Sequence, residues 1–284
     1  MKRRFIGIAV PALASAVLLA GCEVPVQESD PVASATPSAT ATQEPPEPPE
    51  PPENGEETPI GGARQVSEEN DDFVFGYSYP QEAGELPGLA AWLDQRLDQQ
   101  RRTLASESSR GRAQARENGF PFNKYASGTS WEVVADLPGW LSMSAALDSY
   151  SGGAHPNYRF DTVVWDKENA APVEPIAFFT SPEALDTALG ARLCEALNAE
   201  RAERRGAPIE EGSTDTFDAC IAPDETNLLL GSTNGEAFNR IGIQIAPYLA
   251  GPYVEGSYEF TFDMDADLLE IVRPEYREDF AAGD

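Results

Sequence analysis

The chain contains a single histidine, His155, within the glycine-rich stretch YSGGAHPN at residues 150–157. A histidine with serines and an aspartate nearby in sequence could serve as the base of a Ser/His/Asp hydrolase, but no nucleophile-elbow pattern accompanies it. The alternative is a sharp hairpin turn, in which Gly152 and Gly153 take positive φ and His155 bonds the backbone that returns toward Asn157. Both interpretations stay open, and the sequence identifies no catalytic residue.

Carboxylates and tryptophans are the other residues that could process or bind a glycan. The chain has 48 Asp and Glu residues, so no pair stands out as the two carboxylates of a glycosidase. Trp131, Trp140 and Trp165 could offer flat faces to sugar rings, yet each lies in a strand pattern, where core packing is the usual role. The sequence therefore favours core packing for these tryptophans.

The first 22 residues have the order of a bacterial lipoprotein signal peptide. Three cations at residues 2–4 precede an apolar run over residues 5–20, and small residues stand directly before Cys22. The cations stay on the cytoplasmic side, the apolar run enters the bilayer, and the small residues expose the backbone to a peptidase. We expect cleavage after residue 21 and attachment of lipid, including palmitate, to Cys22, so that the protein is anchored to a membrane of the cell envelope. An uncleaved anchor is the alternative, but the run is short for a span and contains Pro11.

Residues 22–72 are rich in Pro, Glu, Ser, Thr and Ala, with a Glu-Pro-Pro run over residues 44–53. Such a segment buries too little apolar surface to offset the entropy of ordering its backbone. We therefore predict three parts: a signal peptide at 1–21, a disordered acidic tether at 22–72 and a folded domain at 73–284. The domain divides into sub-regions of about 73–170 and 171–284.

The formal net charge is −28, and the predicted domain is itself acidic. From residue 73 onward it has about 35 acidic and about 16 basic residues, a field that repels phosphate backbones and attracts basic partners. Nucleic acid is therefore excluded as an expected partner. Solubility alone is a second explanation of this acidity.

Cys194 and Cys220 are the cysteines that follow Cys22. In an exported chain an even pair indicates a disulfide, which here would close a loop of about 27 residues and contribute roughly 3–4 kcal/mol. A zinc site needs about four ligands, and one histidine with two distant cysteines leaves that shell unfilled. We predict a disulfide, no metal and no cofactor.

Hydrophobic periodicity predicts strands and helices over most of the domain. A helix starts after Pro87 and runs past Leu104, whereas residues 106–124 are polar with no period. A second helix starts at residues 180–183 with Thr180 as its cap, carries Leu185, Leu189, Leu193 and Leu197 on one face, and ends in a charged segment before Gly206. The predicted strands are 73–80, 130–137, 140–149, 158–165, 227–230, 241–245 and 257–264, with a last helical turn at 268–272.

Strands that run in groups with two separated helices favour an α+β domain. We expect antiparallel sheets covered by helices, arranged as two similar halves.

Two short segments resemble a known family. Residues 150–157, with Gly152, Gly153, His155 and Asn157, are similar to the Gly-Gly-Ala-His turn of the extracytoplasmic domain of RsiV-type anti-sigma factors. The same domain is found as the non-catalytic N-terminal part of PdaC-type peptidoglycan deacetylases. Residues 245–253, with Pro247, Tyr248 and Gly251, are similar to that family's Ala-Pro-Tyr-x-x-Gly segment.

The resemblance implies an envelope module with a binding or sensing role, since this domain binds lysozyme in the anti-sigma factors. We expect no sigma-binding segment before the apolar run and no deacetylase domain after residue 284, so only a sensing, binding or inhibitory role would apply. Two hypotheses follow: a tethered acidic module that captures lysozyme or another basic envelope protein, or an enzyme or accessory acting on peptidoglycan and its fragments, with His155 in a cleft.

Overall fold

The computed structural model describes residues 61–210 and 212–283. The predicted signal peptide, the predicted lipid-attachment residue Cys22 and the proline-rich run at 44–53 lie outside the described residues. Among those described, no helix is both long and apolar enough to cross a membrane.

The described chain forms two sheets and five helices. The strands are β1 Arg64–Glu69, β2 Phe73–Tyr79, β3 Tyr125–Asp136, β4 Trp140–Tyr150, β5 Asn157–Asp166, β6 Ala171–Val173, β7 Asn227–Gly231, β8 Arg240–Ile245 and β9 Tyr258–Asp263. The helices are α1 Gln81–Gly84, α2 Pro87–Asn118, α3 Pro182–Leu185, α4 Ala191–Arg205 and α5 Ala266–Glu270.

Six strands, β1 to β6, form the larger sheet in sequence order, and β7 to β9 form the smaller one. Only β2 and β3, joined by the crossover helix α2, pair in parallel; the other strand pairs are antiparallel. The predicted α+β class is confirmed. Each half contains a helical segment followed by a three-stranded antiparallel meander, β3–β5 in the first and β7–β9 in the second.

The first hydrophobic core lies between α2 and one face of the larger sheet. Side chains from α2 and from alternate positions of β2, β3, β4 and β5 contribute to it, because side chains on a strand alternate between faces. Its fully buried members include Phe75, Leu89, Leu93, Leu141 and Met143.

The larger sheet begins inside the segment predicted to be a tether. β1 pairs antiparallel with β2, from Arg64 opposite Tyr79 to Glu69 opposite Val74. Its composition is polar because it is an edge strand with half-exposed side chains, so hydrophobicity alone does not reveal it. The folded domain therefore starts before residue 73.

Helix α2 is longer than its apolar pattern indicates. It continues through the polar stretch after Leu104 to Asn118 and ends at Gly119, whose φ of 70° is a left-handed C-cap. The final turns contain good helix formers such as Arg, Ala, Gln and Glu, which need no buried stripe. Periodicity therefore indicated where this helix is buried but not where it ends.

The second helical segment runs from Pro182 to Arg205 with a π-turn over Asp186–Gly190 between α3 and α4. Its cap is Ser181, whose hydroxyl accepts a hydrogen bond from the Ala184 backbone N–H at 3.1 Å, so the prediction of Thr180 was wrong by one residue. The leucine face is confirmed, since all four predicted leucines are completely buried. A strict four-residue spacing drifts around a 3.6-residue helix, and the wider π-turn reduces that drift.

The second core lies between this helical segment, the smaller sheet and the C-terminal residues. It includes Ile241, Ile243 and Ile245 of β8 and the aromatic residues Phe178, Phe179, Phe238 and Phe280. The predicted disulfide between Cys194 of α4 and Cys220 is present, with 5.1 Å between the two Cα atoms. It ties the loop that follows α4 back onto that helix.

Candidate functional site

The glycine-rich stretch forms the turn between β4 and β5. Gly152 has a φ of 85°, as the hairpin interpretation predicted, whereas Gly153 does not adopt positive φ. Asn157 is the first residue of β5 and pairs with Ser149 across the hairpin. This turn places His155 just before the start of β5.

The second family-like segment leaves β8 through a tight turn. The Leu249 N–H donates to the Ala246 carbonyl at 3.2 Å, and Tyr248 has a φ of 73°. Since Pro247 cannot adopt positive φ, this pattern is that of a type II turn, in which glycine normally occupies the third position. A tyrosine there is strained, and such strain concentrates at functional sites.

The two segments meet in a stack of rings. His155 lies on Tyr253, with ring centroids 3.8 Å apart and an interplanar angle of 22°. The ring centroids of Tyr248 and Tyr158 lie 5.8 Å and 6.3 Å from that of Tyr253. We call His155, Tyr158, Tyr248 and Tyr253 the aromatic platform. Tyr158 is 44% exposed and Tyr248 50% exposed, so the platform lies outside both cores.

The hydrogen bonds of His155 define its tautomer. Its Nδ1 lies 2.8 Å from the Pro156 carbonyl oxygen, which can only accept, so Nδ1 carries the hydrogen. In the neutral ring, Nε2 then accepts from the Tyr248 hydroxyl at 3.1 Å. Within the described part of the chain, no serine or aspartate side chain bonds to His155, so a Ser/His/Asp triad is not formed there.

Arg201 bonds to residues 246–255, which we call the platform segment. It is completely buried, and its guanidinium donates to the Ala250 carbonyl from Nε at 2.9 Å and from Nη2 at 2.7 Å. Further bonds run to the Ala219 carbonyl at 3.0 Å and the Asn198 side chain at 2.9 Å. Burial, and then the nearby charge of Arg205, lowers the pKa of Arg201 from its ordinary value. The sequence analysis had placed Arg201 in the charged segment that ends this helix.

Arg205 supports the same segment through Glu255. Its guanidinium contacts both carboxylate oxygens of Glu255, at 2.7 Å and 3.0 Å, and donates to Asp218 at 2.5 Å. Burial alone would raise the pKa of Glu255, but hydrogen bonds from Arg205 and Tyr258 outweigh it and hold that pKa below its usual value. A Cβ at position 251 would overlap the Glu255 carboxylate, so a larger residue than Gly251 would force that side chain to shift.

A shallow groove of about 220 Å³ lies next to the second family-like segment, which contributes Ala246 and Leu249 to its lining. Its lining residues are Arg159, Phe160, Glu225, Thr226, Asn227, Gln244, Ala246 and Leu249. Trp131, Trp140 and Trp165 are buried, with exposures of 3%, 8% and 3%, so the prediction that they pack in the core is confirmed. Over residues 61–210 and 212–283, no three His, Cys, Asp or Glu side chains are placed to hold a metal ion.

The structure thus brings together His155 and Tyr248, which the sequence singled out, with Tyr158 and Tyr253, which it did not. Tyr253 ends the second family-like segment and Tyr158 directly follows the first. Their proximity in sequence to the two motifs was the available signal. Which tyrosines stack depends on how the two segments approach each other.

Comparison with known proteins gives a partial match. Residues 66–158 match the family model described as "Deacetylase PdaC". No curated protein matches the chain. Among solved structures, a DUF3298 family member from Bacteroides fragilis is similar at 16% identity and a TM-score of 0.48, over 78% of this chain and 92% of that one. A DUF3298 family protein from Pseudomonas aeruginosa is similar at 14% identity and a TM-score of 0.46, over 80% and 99%. The first half of the folded domain, including the His155 turn, is therefore similar to the PdaC family.

Proposed function

We propose that this domain is an envelope-side binding module whose aromatic platform captures a basic partner protein, with lysozyme as the candidate suggested by the family resemblance. The observation that carries the proposal is the stack of half-buried His155 and Tyr253 rings with the exposed rings of Tyr158 and Tyr248 next to it. Exposed tyrosines that are already held in place lose little entropy on binding and are frequent interface anchors.

The surface around the platform extends its apolar area. Leu249 is 53% exposed and Val254 is 89% exposed, and both belong to the segment that carries Tyr248 and Tyr253. Contiguous exposed apolar side chains on a soluble domain are typical of interaction sites. A partner that contacts the platform segment would therefore also bury exposed apolar side chains.

The acidity of the domain supports a basic partner. Complementary charge accelerates encounter and selects against acidic competitors, while the buried apolar side chains supply most of the affinity. The proposal also includes the lipid on Cys22 and the tether, which would hold the module at an envelope membrane. The similarity of residues 66–158 to the PdaC family supports that location.

The test is calorimetric titration of the full chain in detergent with c-type lysozyme, at low salt and at about 150 mM salt, where surface charges are screened beyond roughly 8 Å. We expect saturable binding at both salt concentrations, with Tyr253→Ala weakening it by about 30-fold, equivalent to ~2 kcal/mol. Phe120→Ala is the matched control, since Phe120 is 71% exposed at the end of α2 and outside the platform.

An unrelated protein of equal basic charge separates recognition from general attraction. The proposal would be refuted if the control protein bound equally well, or if lysozyme binding disappeared at about 150 mM salt. Solubility would then be the remaining explanation of the domain's acidity. If Tyr253→Ala and the parent chain bound lysozyme with equal affinity, the platform would not be part of the binding site.

Glycan binding is a second candidate, favoured by one observation. The rings of Tyr158 and Tyr253 are nearly parallel, at 21°, and the adjoining groove presents the amide side chains of Asn227 and Gln244. Flat aromatic faces and amides suit sugar rings and their hydroxyl groups. Titration with peptidoglycan fragments, using the same two variants, tests it: binding that is insensitive to Tyr253→Ala would rule out this site.

A further inference from the structure

We propose that the Cys194–Cys220 disulfide positions the aromatic platform through Arg201 and Arg205, so that reducing it loosens the platform and weakens partner capture. The binding part of this inference rests on the proposed function, whereas the coupling itself does not. Two segments matter: the platform segment, residues 246–255, and the part of the disulfide-closed loop at residues 212–220, which we call the disulfide-closed loop below.

Arg201 is the first link between the two segments. One nitrogen, Nη2, donates both to the Ala219 carbonyl in the disulfide-closed loop and to the Ala250 carbonyl in the platform segment. Ala219 precedes Cys220, and Ala250 lies two residues after Tyr248. Because a completely buried guanidinium must keep its acceptors, displacement of one carbonyl forces the group to reorient and disturbs the other.

Arg205, one helical turn later, is the second link. It donates to the Asp218 carboxylate and the Phe217 carbonyl in the disulfide-closed loop. On the other side it holds Glu255 in the platform segment through two bonds. Its two sets of partners therefore come from the same two segments that Arg201 joins.

The disulfide fixes the loop to the helix that carries both arginines. Cys194 lies in α4, so the bond holds Cys220, and with it Ala219 and Asp218, against Arg201 and Arg205. A dithiol reductant would break the S–S bond by transferring two electrons. The two sulfurs take up two protons as thiols, and the dithiol closes its own disulfide. The loop would then be held only by weaker contacts, several of them with these arginines.

The coupling is tested by hydrogen exchange of the full chain, oxidised and reduced with dithiothreitol. The N–H groups of Tyr248 and Glu255 are protected by bonds within the platform segment, to the Gly251 and Pro252 carbonyls at 2.9 Å each. We expect exchange over residues 246–255 to accelerate at least about tenfold on reduction, in line with loss of a charge-assisted bond, while β4 and β8 stay protected. Unchanged exchange over residues 246–255 would overturn the inference.

A variant that keeps the disulfide tests the arginine link without reduction, so the test remains valid even if reduction unfolds the whole domain. Arg205→Lys retains the charge but loses the two-pronged contact with Glu255, and Arg116→Lys at the exposed end of α2 is its control. Faster exchange over residues 246–255 in Arg205→Lys alone supports the coupling, whereas equal exchange in the two variants refutes it.

Binding is then measured on the same samples. If lysozyme binds, we expect reduction to lower its affinity by about tenfold, and an affinity that is unaffected despite faster exchange would refute control of capture. If lysozyme does not bind the oxidised chain, the proposed function fails, while the exchange result still decides the coupling.

Discussion

The strained backbone at Tyr248 predicts that stability and binding can be separated by one substitution. A left-handed conformation costs a non-glycine residue about 1–2 kcal/mol, and the extra freedom of glycine in the unfolded chain costs about 0.5–1 kcal/mol. Replacing alanine by glycine at this φ of 73° should therefore gain about 0.5–1 kcal/mol. The half-exposed Tyr248 ring contributes about 0.5–1.5 kcal/mol through its aromatic contacts.

Combining these terms, Tyr248→Gly should lie within about 1 kcal/mol of the parent chain in unfolding free energy, and Tyr248→Ala should be about 1 kcal/mol less stable than the parent. Both variants should lose partner binding, because both lack the platform ring. Ala170→Gly is the matched control: Ala170 also has positive φ, at 50°, but is exposed in the turn between β5 and β6. It should be slightly more stable and bind normally.

Urea unfolding followed by circular dichroism gives the three free energies, and calorimetry gives the affinities. Equal stability of Tyr248→Gly and Tyr248→Ala would refute the strain argument. Normal binding by Tyr248→Gly would show that the tyrosine ring is not part of the site.

Two further predictions concern the second core. Leu193→Ala should lower the free energy of unfolding by about 2–5 kcal/mol, because Leu193 is completely buried. Leu249→Ala is the control: Leu249 is 53% exposed, so its loss should change that free energy by less than about 0.5 kcal/mol. Urea unfolding measures both values. Burial, and then Glu255, raises the pKa of Tyr258 from 10.0 to about 12, so its contribution to stability is present below pH 10 and is lost as the pH rises through 12. Tyr258→Phe should therefore reduce the loss of unfolding free energy between pH 10 and 12. The remaining loss is due to Tyr77 and Tyr79, whose pKa values are also about 12. An unchanged dependence of the unfolding free energy on pH would contradict this assignment.

Local patterns predicted most of the fold. Alternation located β4, β5 and β8, and the leucine spacing located the helical face at Leu185–Leu197, because period-two and period-3.6 burial are properties of the backbone itself. The same reasoning missed β1, whose polar side chains carry no such pattern, and the last turns of α2. Elements that bury little surface leave little trace in hydrophobicity.

The burial of Arg201 follows from a residue spacing that the sequence contains. The four-residue spacing of Leu189, Leu193 and Leu197 continues to Arg201, which therefore lies on the buried face of the helix. The residue type assigned Arg201 to the charged helix end, whereas its position on the helix indicated the core. Arg201 can be buried because the carbonyls of Ala219 and Ala250 accept hydrogen bonds from its guanidinium.

By itself, the sequence determined the α+β class and the cysteine pair, since each follows from local spacing or residue type. Its resemblance to a known family singled out the two segments that form the candidate site. Only the tertiary structure decided that His155 meets Tyr248, 93 residues later, and stacks on Tyr253. It also decided that the loop containing Cys220 shares its arginine contacts with that platform. Contacts between distant segments depend on how the two halves pack and on where each buried polar group finds a partner, and neither is encoded in a local pattern.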